Sequence, residues 1–112
     1  MVADDDTATA LGSGDVAVLA TPRVVALVEQ AAVEALQGTL PAGTTTVGMR
    51  VQLDHLRPTA VGVTVVADAV LERIEGRRLV FTVSVSDPRG LVAAGRVTRV
   101  LVDVERFLDK TR

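Results

Sequence analysis

The chain has 112 residues, of which 48% are hydrophobic and 2% aromatic, with one histidine, no cysteine and a formal net charge of -2. These counts exclude disulfide scaffolds, Cys-ligated metal centres, a thiol nucleophile and a basic, base-stacking surface for nucleic acid. No apolar run approaches the ~20 residues of a membrane span. We therefore expect one cytoplasmic domain, residues 1–112, with no metal ion and with neither nucleic acid nor membrane as a partner.

The first strong periodic pattern predicts a helix over residues 21–38. The turn-rich residues before it leave room for a short strand at most, around Val2 to Ala8. Thr21 is the expected N-cap, Pro22 fills the first helical position, and Gly38 is the expected left-handed stop. The polar residues of this helix share one narrow stripe, so we expect protein to enclose the helix on most sides. The stripe contains Arg23, Gln30, Glu34 and Gln37.

After the helix the periodicity changes from 3.6 residues to 2, which predicts four strands. Apolar residues alternate over 47–55, 61–71 and 79–86, and a valine-rich run covers 91–104. The short connections at Glu75 to Arg77 and at Asp87 to Gly90 suit hairpins, so we expect an antiparallel sheet. A buried helix followed by such strands predicts an α+β fold in which the sheet curls around the helix.

Glu29 is the first candidate for chemistry, because it lies off the polar stripe of the helix. Its neighbours at helical spacing are apolar, Val25 and Val33 among them. A carboxylate in such surroundings is desolvated at a cost unless a partner offsets its charge. The alternative is that the helix edge lets Glu29 reach solvent.

His55 and Thr21 are the next candidates. His55 ends the alternation that begins at Val47, so we expect its imidazole on the core-facing side of the strand, where with Glu29 it makes a workable acid–base pair. The alternative is an inert histidine bonded to backbone. Thr21 already has a role as N-cap, and two helical turns, ~12 Å, separate it from Glu29. The two can act on one substrate only if the substrate is long enough to reach both, if the chain curves, or if a symmetric dimer brings them together.

The remaining candidates carry less information. Gly48 interrupts a strand and leaves room for a ligand near the backbone. Arg96 and Arg99 of the last strand either pair with phosphates or are solvated charges, and the pair Arg77-Arg78 is expected at the surface. The glycines around Ser13 lack the lysine and the helix of a phosphate-binding loop.

Four segments resemble a known family. They are VLATPRVVALVEQAA at 18–32, TVGMRVQLDHLRPTAVG at 46–62, EGRRLVF at 75–81 and RVLVDVERF at 99–107. They resemble the fluoroacetyl-CoA thioesterase-like family of hot-dog fold acyl-CoA thioesterases. The resemblance implies one long central helix wrapped by a curled antiparallel sheet of about five strands. It also implies a homodimer that hydrolyses acyl-CoA at the subunit interface.

The resemblance also assigns residues. The family's catalytic threonine, glutamate and histidine fall on Thr21, Glu29 and His55, and its substrate-binding glycine and arginine fall on Gly48 and Arg99. The family's namesake has a lid of phenylalanines over its acyl pocket. The corresponding stretch here, Ala10 to Val16, has no aromatic residue, so the resemblance does not extend to selectivity for a fluorinated acyl group.

These observations predict hydrolysis of a small acyl-CoA or related acyl thioester, with coenzyme A as part of the substrate and no other cofactor. Glu29 acts as nucleophile or as general base on water, Thr21 attacks or positions the thioester, and His55 transfers protons. The Gly48 backbone helps to polarise the carbonyl. A non-catalytic protein that binds acyl thioesters or a hydrophobic metabolite is the alternative. An enoyl-CoA hydratase fits less well, because Asp54 and His55 point to opposite faces of a strand.

Overall fold

One long helix and four long strands dominate the computed structural model, which describes residues 1–112. A 3-10 turn at Asp4–Asp6 precedes the helices α1 (Ala8–Leu11), α2 (Thr21–Ala35) and α3 (Val104–Asp109). The strands are β1 (Thr44–His55), β2 (Val66–Glu75), β3 (Arg78–Asp87) and β4 (Gly90–Asp103). They form one sheet in the order β1-β4-β3-β2, in which every neighbouring pair is antiparallel. The predicted α+β class and both predicted hairpins are therefore confirmed.

The core lies between α2 and the inner face of the sheet. Phe81 is fully buried at its centre. Alternate residues of β3 and β4 surround it because successive side chains of a strand point to opposite faces. The fully buried members of this layer include Val83, Val85, Val92 and Val97.

The N-terminal segment contributes only fragments of a further strand. Val2 is buried, and its backbone exchanges two hydrogen bonds with Gly62 and Val63 at 2.8 and 2.9 Å. The chain then turns at Asp4–Asp6, which ends the pairing. The second strand begins at Val66 and not at the predicted residue 61, because Gly62 adopts a left-handed φ of +91° that interrupts extended backbone. The sheet consequently has four strands and not about five.

Helix α2 begins and ends differently from the prediction. Ala20, in extended conformation, is the N-cap, so the prediction that Thr21 caps the helix is wrong. Thr21 is already helical, and its hydroxyl bonds elsewhere. The helix ends at Ala35 because its final turn tightens into bonds between residues three apart, and the chain reverses at Gly38, whose φ is +79°. No helix of this chain is long and apolar enough to cross a membrane.

A single chain does not enclose α2 on most sides, which corrects the prediction from its polar stripe. One row of residues four apart is buried, from Val24 through Val28 and Ala32 to Leu36. The opposite face stays open, and Val33 is 47% exposed. The reason is geometric, since one four-stranded sheet covers only one side of the helix. The apolar residues beyond that row remain available for another surface.

A β-bulge changes which residues of β1 face inward. Gly48 pairs with Arg99, whereas Arg50 pairs with Thr98, so Met49 is an extra residue in the strand. Residues that pair across two strands lie on the same face of the sheet. Thr46 and Gly48 are therefore on the core-facing side of β1, as are the inward residues of its second half. The simple alternation expected from Val47 to His55 is therefore wrong in its first half. His55, beyond the bulge, keeps the predicted inward position.

Replacing Gly95 with Ala is expected to lower the free energy of unfolding by roughly 3 kcal/mol or more. A Cβ atom at this position would lie 2.0 Å from the backbone oxygen of Gln52 and 2.9 Å from the Cα of Leu53. Backbone atoms of a paired strand cannot move aside without breaking the sheet. Urea denaturation measures the effect. Gly14→Ala is the matched control, because its Cβ would make only an ordinary contact, 3.5 Å from that of Ala8. Equal stability of the two variants would contradict the assigned strand register.

Candidate active site

A threonine and the only histidine of the chain form a direct contact. The Oγ1 of Thr21 lies 2.8 Å from the Nδ1 of His55, across 34 residues of sequence. The first turn of α2 holds Thr21, and the end of β1 holds His55, which pairs with Ala93 of β4. A hydroxyl beside an imidazole nitrogen is the arrangement in which a base can take the hydroxyl proton. The contact joins two predicted site residues.

Beside this contact lies a groove of about 260 Å³. Thr21 and His55 line it together with residues of α1, of the segment before α2 and of the segment after β1. Arg57 fixes the last of these segments, since its Nη2 donates to the Oδ1 of Asp87 at 2.6 Å. That hydrogen bond lowers the pKa of the Asp87 carboxyl, against the opposing effect of desolvation. The other lining residues are Ala8, Ser13, Val18, Leu19, Ala20, Leu56 and Pro58.

The two imidazole nitrogens of His55 have different surroundings. Nδ1 contacts Thr21, whereas Nε2 is buried and has no hydrogen-bonding partner within the chain. If the Thr21 hydroxyl donates to Nδ1, the single proton of a neutral imidazole is on Nε2. The lone pair of Nδ1 is then the acceptor of the Thr21 hydroxyl. His55 is therefore oriented to act as a base on Thr21.

Glu29 forms an ion pair with a buried arginine. The Nη1 of Arg99 donates to the Oε2 of Glu29 at 3.0 Å. The Arg99 side chain is 8% exposed and that of Glu29 is 35% exposed. Arg99 is thus not a solvated surface charge, and the partner that a partly desolvated carboxylate needs is present. Glu29 keeps its other oxygen, Oε1, outside this pair.

Thr46 is a site residue that the sequence reasoning missed. Its Oγ1 accepts from the Nε of Arg99 at 2.9 Å, and its backbone oxygen accepts from Nη2, also at 2.9 Å. Together with Glu29, Thr46 engages all three nitrogens of the guanidinium group. The bulge at Met49 brings Thr46 to the inner face, and nothing in the simple alternation of β1 indicates that shift.

Gly48 makes room for the carboxylate of Glu29. A Cβ atom on Gly48 would lie 2.7 Å from the Oε2 of Glu29 and 3.6 Å from the Nη1 of Arg99. The space that the missing side chain leaves is therefore occupied by the ion pair. This explains in steric terms why a glycine interrupts the strand here.

The predicted site residues form two separate groups within one chain. One contains Thr21 and His55, the other Glu29, Arg99 and Gly48. No hydrogen bond or ion pair joins the two, and two turns of α2 separate Thr21 from Glu29 by ~12 Å. No group of three or more His, Cys, Asp or Glu side chains is placed to hold a metal ion. The arrangement can support nucleophilic and acid–base chemistry, provided that the groups converge.

Known proteins resemble this chain over almost its whole length. The family model for fluoroacetyl-CoA-specific thioesterase matches residues 2–105. The fluoroacetyl-CoA thioesterase of Streptantibioticus cattleyicolor is 35% identical over 95 residues, which are 85% of this chain and 68% of that protein.

Solved structures resemble it equally well. A variant of a fluoroacetyl-CoA-specific thioesterase, in complex with fluoroacetate and CoA, superposes with a TM-score of 0.92 at 31% identity, covering 99% of this chain and 91% of that one. A hot-dog-like protein from Thermanaerovibrio acidaminovorans gives a TM-score of 0.91 at 32% identity, with coverages of 98% and 82%. The predicted hot-dog fold is confirmed by these structures.

Proposed function

The chain belongs to the fluoroacetyl-CoA-specific thioesterase family and is an acyl-CoA thioesterase, and we propose that Thr21, His55 and Glu29 carry out its hydrolysis of a small acyl-CoA. The observation that carries this proposal is the 2.8 Å contact between the Thr21 hydroxyl and His55 Nδ1 at the edge of a groove. The groove is lined by small and aliphatic residues, which suits a short acyl group.

The first half of the proposed reaction takes place at Thr21. Its Oγ1 bonds to the thioester carbonyl carbon while its proton passes to His55 Nδ1. The carbon–sulfur bond then breaks, and the leaving thiolate takes that proton as free coenzyme A. The acyl group is left as an ester on Thr21. Among the sequence-based alternatives we take Thr21 as the nucleophile, because a hydroxyl needs a base and His55 lies within hydrogen-bonding distance of it, whereas the carboxylate of Glu29 is held by Arg99.

Glu29 acts in the second half as general base on water. The water's proton passes to the carboxylate as the water oxygen bonds to the acyl carbon. The ester bond to Thr21 then breaks, and the proton passes from Glu29 to the leaving Oγ1, which releases the carboxylic acid and restores the Thr21 hydroxyl. Arg99 acts through Glu29 as a positioning residue, since each of its three nitrogens donates a hydrogen bond to Glu29 or Thr46. The Gly48 backbone remains our candidate for contact with the thioester carbonyl. The reaction needs no cofactor besides the coenzyme A of the substrate.

We propose that a homodimer brings the two groups together. β1 is an edge strand of the sheet, and Met49 in it and Val33 on the open face of α2 are 46% and 47% exposed. An unpaired edge is a template for a second copy. Antiparallel pairing of β1 with its copy places the Gly48 half of one strand beside the His55 half of the other. Glu29 of one protomer then approaches Thr21 and His55 of its partner.

A panel of short acyl-CoA substrates tests the reaction. Free thiol released from each substrate is measured by a colorimetric reagent, and mass spectrometry follows the acyl product. Release of free coenzyme A that is lost in Thr21→Ala supports the proposal. Intact thioester retained on the protein would instead identify a non-catalytic binding protein. The site of action proposed is the cytoplasm, because coenzyme A thioesters are made and consumed inside cells.

Replacing Thr46 with Val is expected to lower kcat about tenfold, because Arg99 loses one hydrogen bond and Glu29 its fixed position. Thr46→Ser keeps the hydroxyl and is expected to retain most of the activity. Steady-state hydrolysis of the best acyl-CoA measures both variants, with circular dichroism to check folding. A fully active Thr46→Val, or a loss in Thr46→Ser as large as that in Thr46→Val, would contradict a role for the hydroxyl of Thr46.

A further inference from the structure

A second cavity, of about 420 Å³, lies at the far end of β4 and has no role in the steps above. It is bounded by the β2–β3 turn, the last residues of β4 and helix α3. Arg77, Arg106 and Lys110 line it with their cationic side chains. Its apolar wall is formed by Val100, Leu101, Val102 and Phe107.

The charge of this cavity is unusual for the molecule. Six of the twelve basic side chains form ion pairs with carboxylates, and three of the other six line this one cavity. One carboxylate, Asp103, also lines the cavity and accepts the backbone N–H of Arg106 at 3.1 Å, while Asp109 pairs with Arg112. A protein with a net charge of -2 thus places three cationic side chains against one carboxylate in the lining of this cavity.

The cavity also offers an aromatic surface. The chain has two aromatic residues, of which Phe81 is fully buried in the core and Phe107 is half-buried in the wall of this cavity. A phenyl ring beside arginine side chains can stack on a purine while the guanidinium groups bind phosphate.

The cavity is connected to the group around Glu29 by one strand. Leu101 lines the cavity and is the register partner of Thr46, which holds Arg99. Leu101 follows Arg99 by two residues of strand, ~7 Å. A ligand whose reactive end lies near Glu29 can therefore extend along β4 toward the basic residues.

We propose that this cavity binds the nucleotide end of coenzyme A. Arg77, Arg106 and Lys110 contact the pyrophosphate and the 3′-phosphate, and the adenine stacks on Phe107. The identity of the ligand rests on the proposed thioesterase function, whereas the recognition of an adenine nucleotide rests on the cavity itself.

Kinetics with two substrates test the proposal. In Arg106→Ala/Lys110→Ala, KM for the best acyl-CoA is expected to rise about tenfold with kcat within about twofold. KM for the matching acyl-pantetheine thioester, which lacks the nucleotide, is expected to be unchanged. Arg89→Ala is the matched control, because Arg89 is an exposed, unpaired arginine outside the cavity. An unchanged KM for acyl-CoA, or an equal rise for both substrates, overturns the proposal.

A binding measurement separates this proposal from the proposed reaction. Calorimetry with adenosine 3′,5′-bisphosphate is expected to show binding to the unmodified protein and at least tenfold weaker binding to the double variant. Inorganic phosphate at the same concentration is expected not to compete. If the protein hydrolyses no thioester, the proposed function fails while this measurement still decides the nucleotide site. Equal binding to both proteins, or full competition by phosphate, rejects an adenine nucleotide site here.

Discussion

Replacing Glu29 with Gln is expected to lower kcat for acyl-CoA hydrolysis by ~10²-fold or more, because the amide keeps the shape of the side chain but cannot accept a proton from water. In the proposed reaction the first half survives, so the acyl group should accumulate on Thr21. Mass spectrometry of the intact variant after mixing with substrate should detect this ester, and free thiol should appear in one burst.

Glu34→Gln is the matched control for this variant. Glu34 lies on the same helix, is exposed and forms no ion pair, so its loss of charge is expected to leave activity unchanged. Folding of both variants is compared by urea denaturation, since Glu29→Gln also leaves the Arg99 guanidinium buried without a counter-charge. A fully active Glu29→Gln would remove Glu29 from the mechanism. A burst without an ester on Thr21 would assign the nucleophile elsewhere.

Co-expression of two inactive variants, Thr21→Ala and Glu29→Gln, is expected to restore about a quarter of the unmodified activity. With random pairing, half of the dimers contain one copy of each variant. If Glu29 acts on Thr21 and His55 of its partner, each mixed dimer has one intact site and one site with both defects. Free-thiol release by the purified mixture measures the recovery.

Co-expression of Thr21→Ala with His55→Ala is the control for this experiment. Both residues belong to the same group of the same protomer, so no pairing restores an intact site and no recovery is expected. Recovery in this control, or its absence in the test mixture, argues against a site shared between protomers. Sedimentation of the unmodified protein as a single 11.7 kDa chain would rule out the dimer directly.

The fold was predictable wherever local chemistry decides the conformation. The turns at Gly76 and Gly90 have left-handed φ values of +61° and +130°, and they connect the hairpins that the sequence pattern predicts. The N-terminus of α2 was not predictable in the same way. Thr21 is a good N-cap by propensity, but the contact with His55, distant in sequence, takes its hydroxyl, and Ala20 becomes the cap. A long-range hydrogen bond outweighed a local preference.

The candidate site was predictable to the extent that polar residues stand out in apolar patterns. Glu29 and His55 interrupt such patterns, and both occupy positions with a specific polar partner. Thr46 does not stand out, because threonine is common in strands and its inward orientation depends on the bulge at Met49. The register of one strand against another is a property of the pair, so a single strand's alternation cannot reveal where an extra residue is inserted.

Substitutions at the two crowded glycines of the sheet, Gly95 and Gly48, are expected to behave differently in a screen of variants. A side chain at Gly95 meets immovable backbone, so a screen for folded protein would eliminate it. A side chain at Gly48 meets the ends of two side chains, Glu29 and Arg99, so the backbone of the sheet can stay in place while the carboxylate of Glu29 is displaced. The amount of folded protein therefore does not report the loss of activity caused by a substitution at position 48, whereas the rate of substrate turnover does. A library sorted for expression alone would drift toward stable, inactive chains through this position.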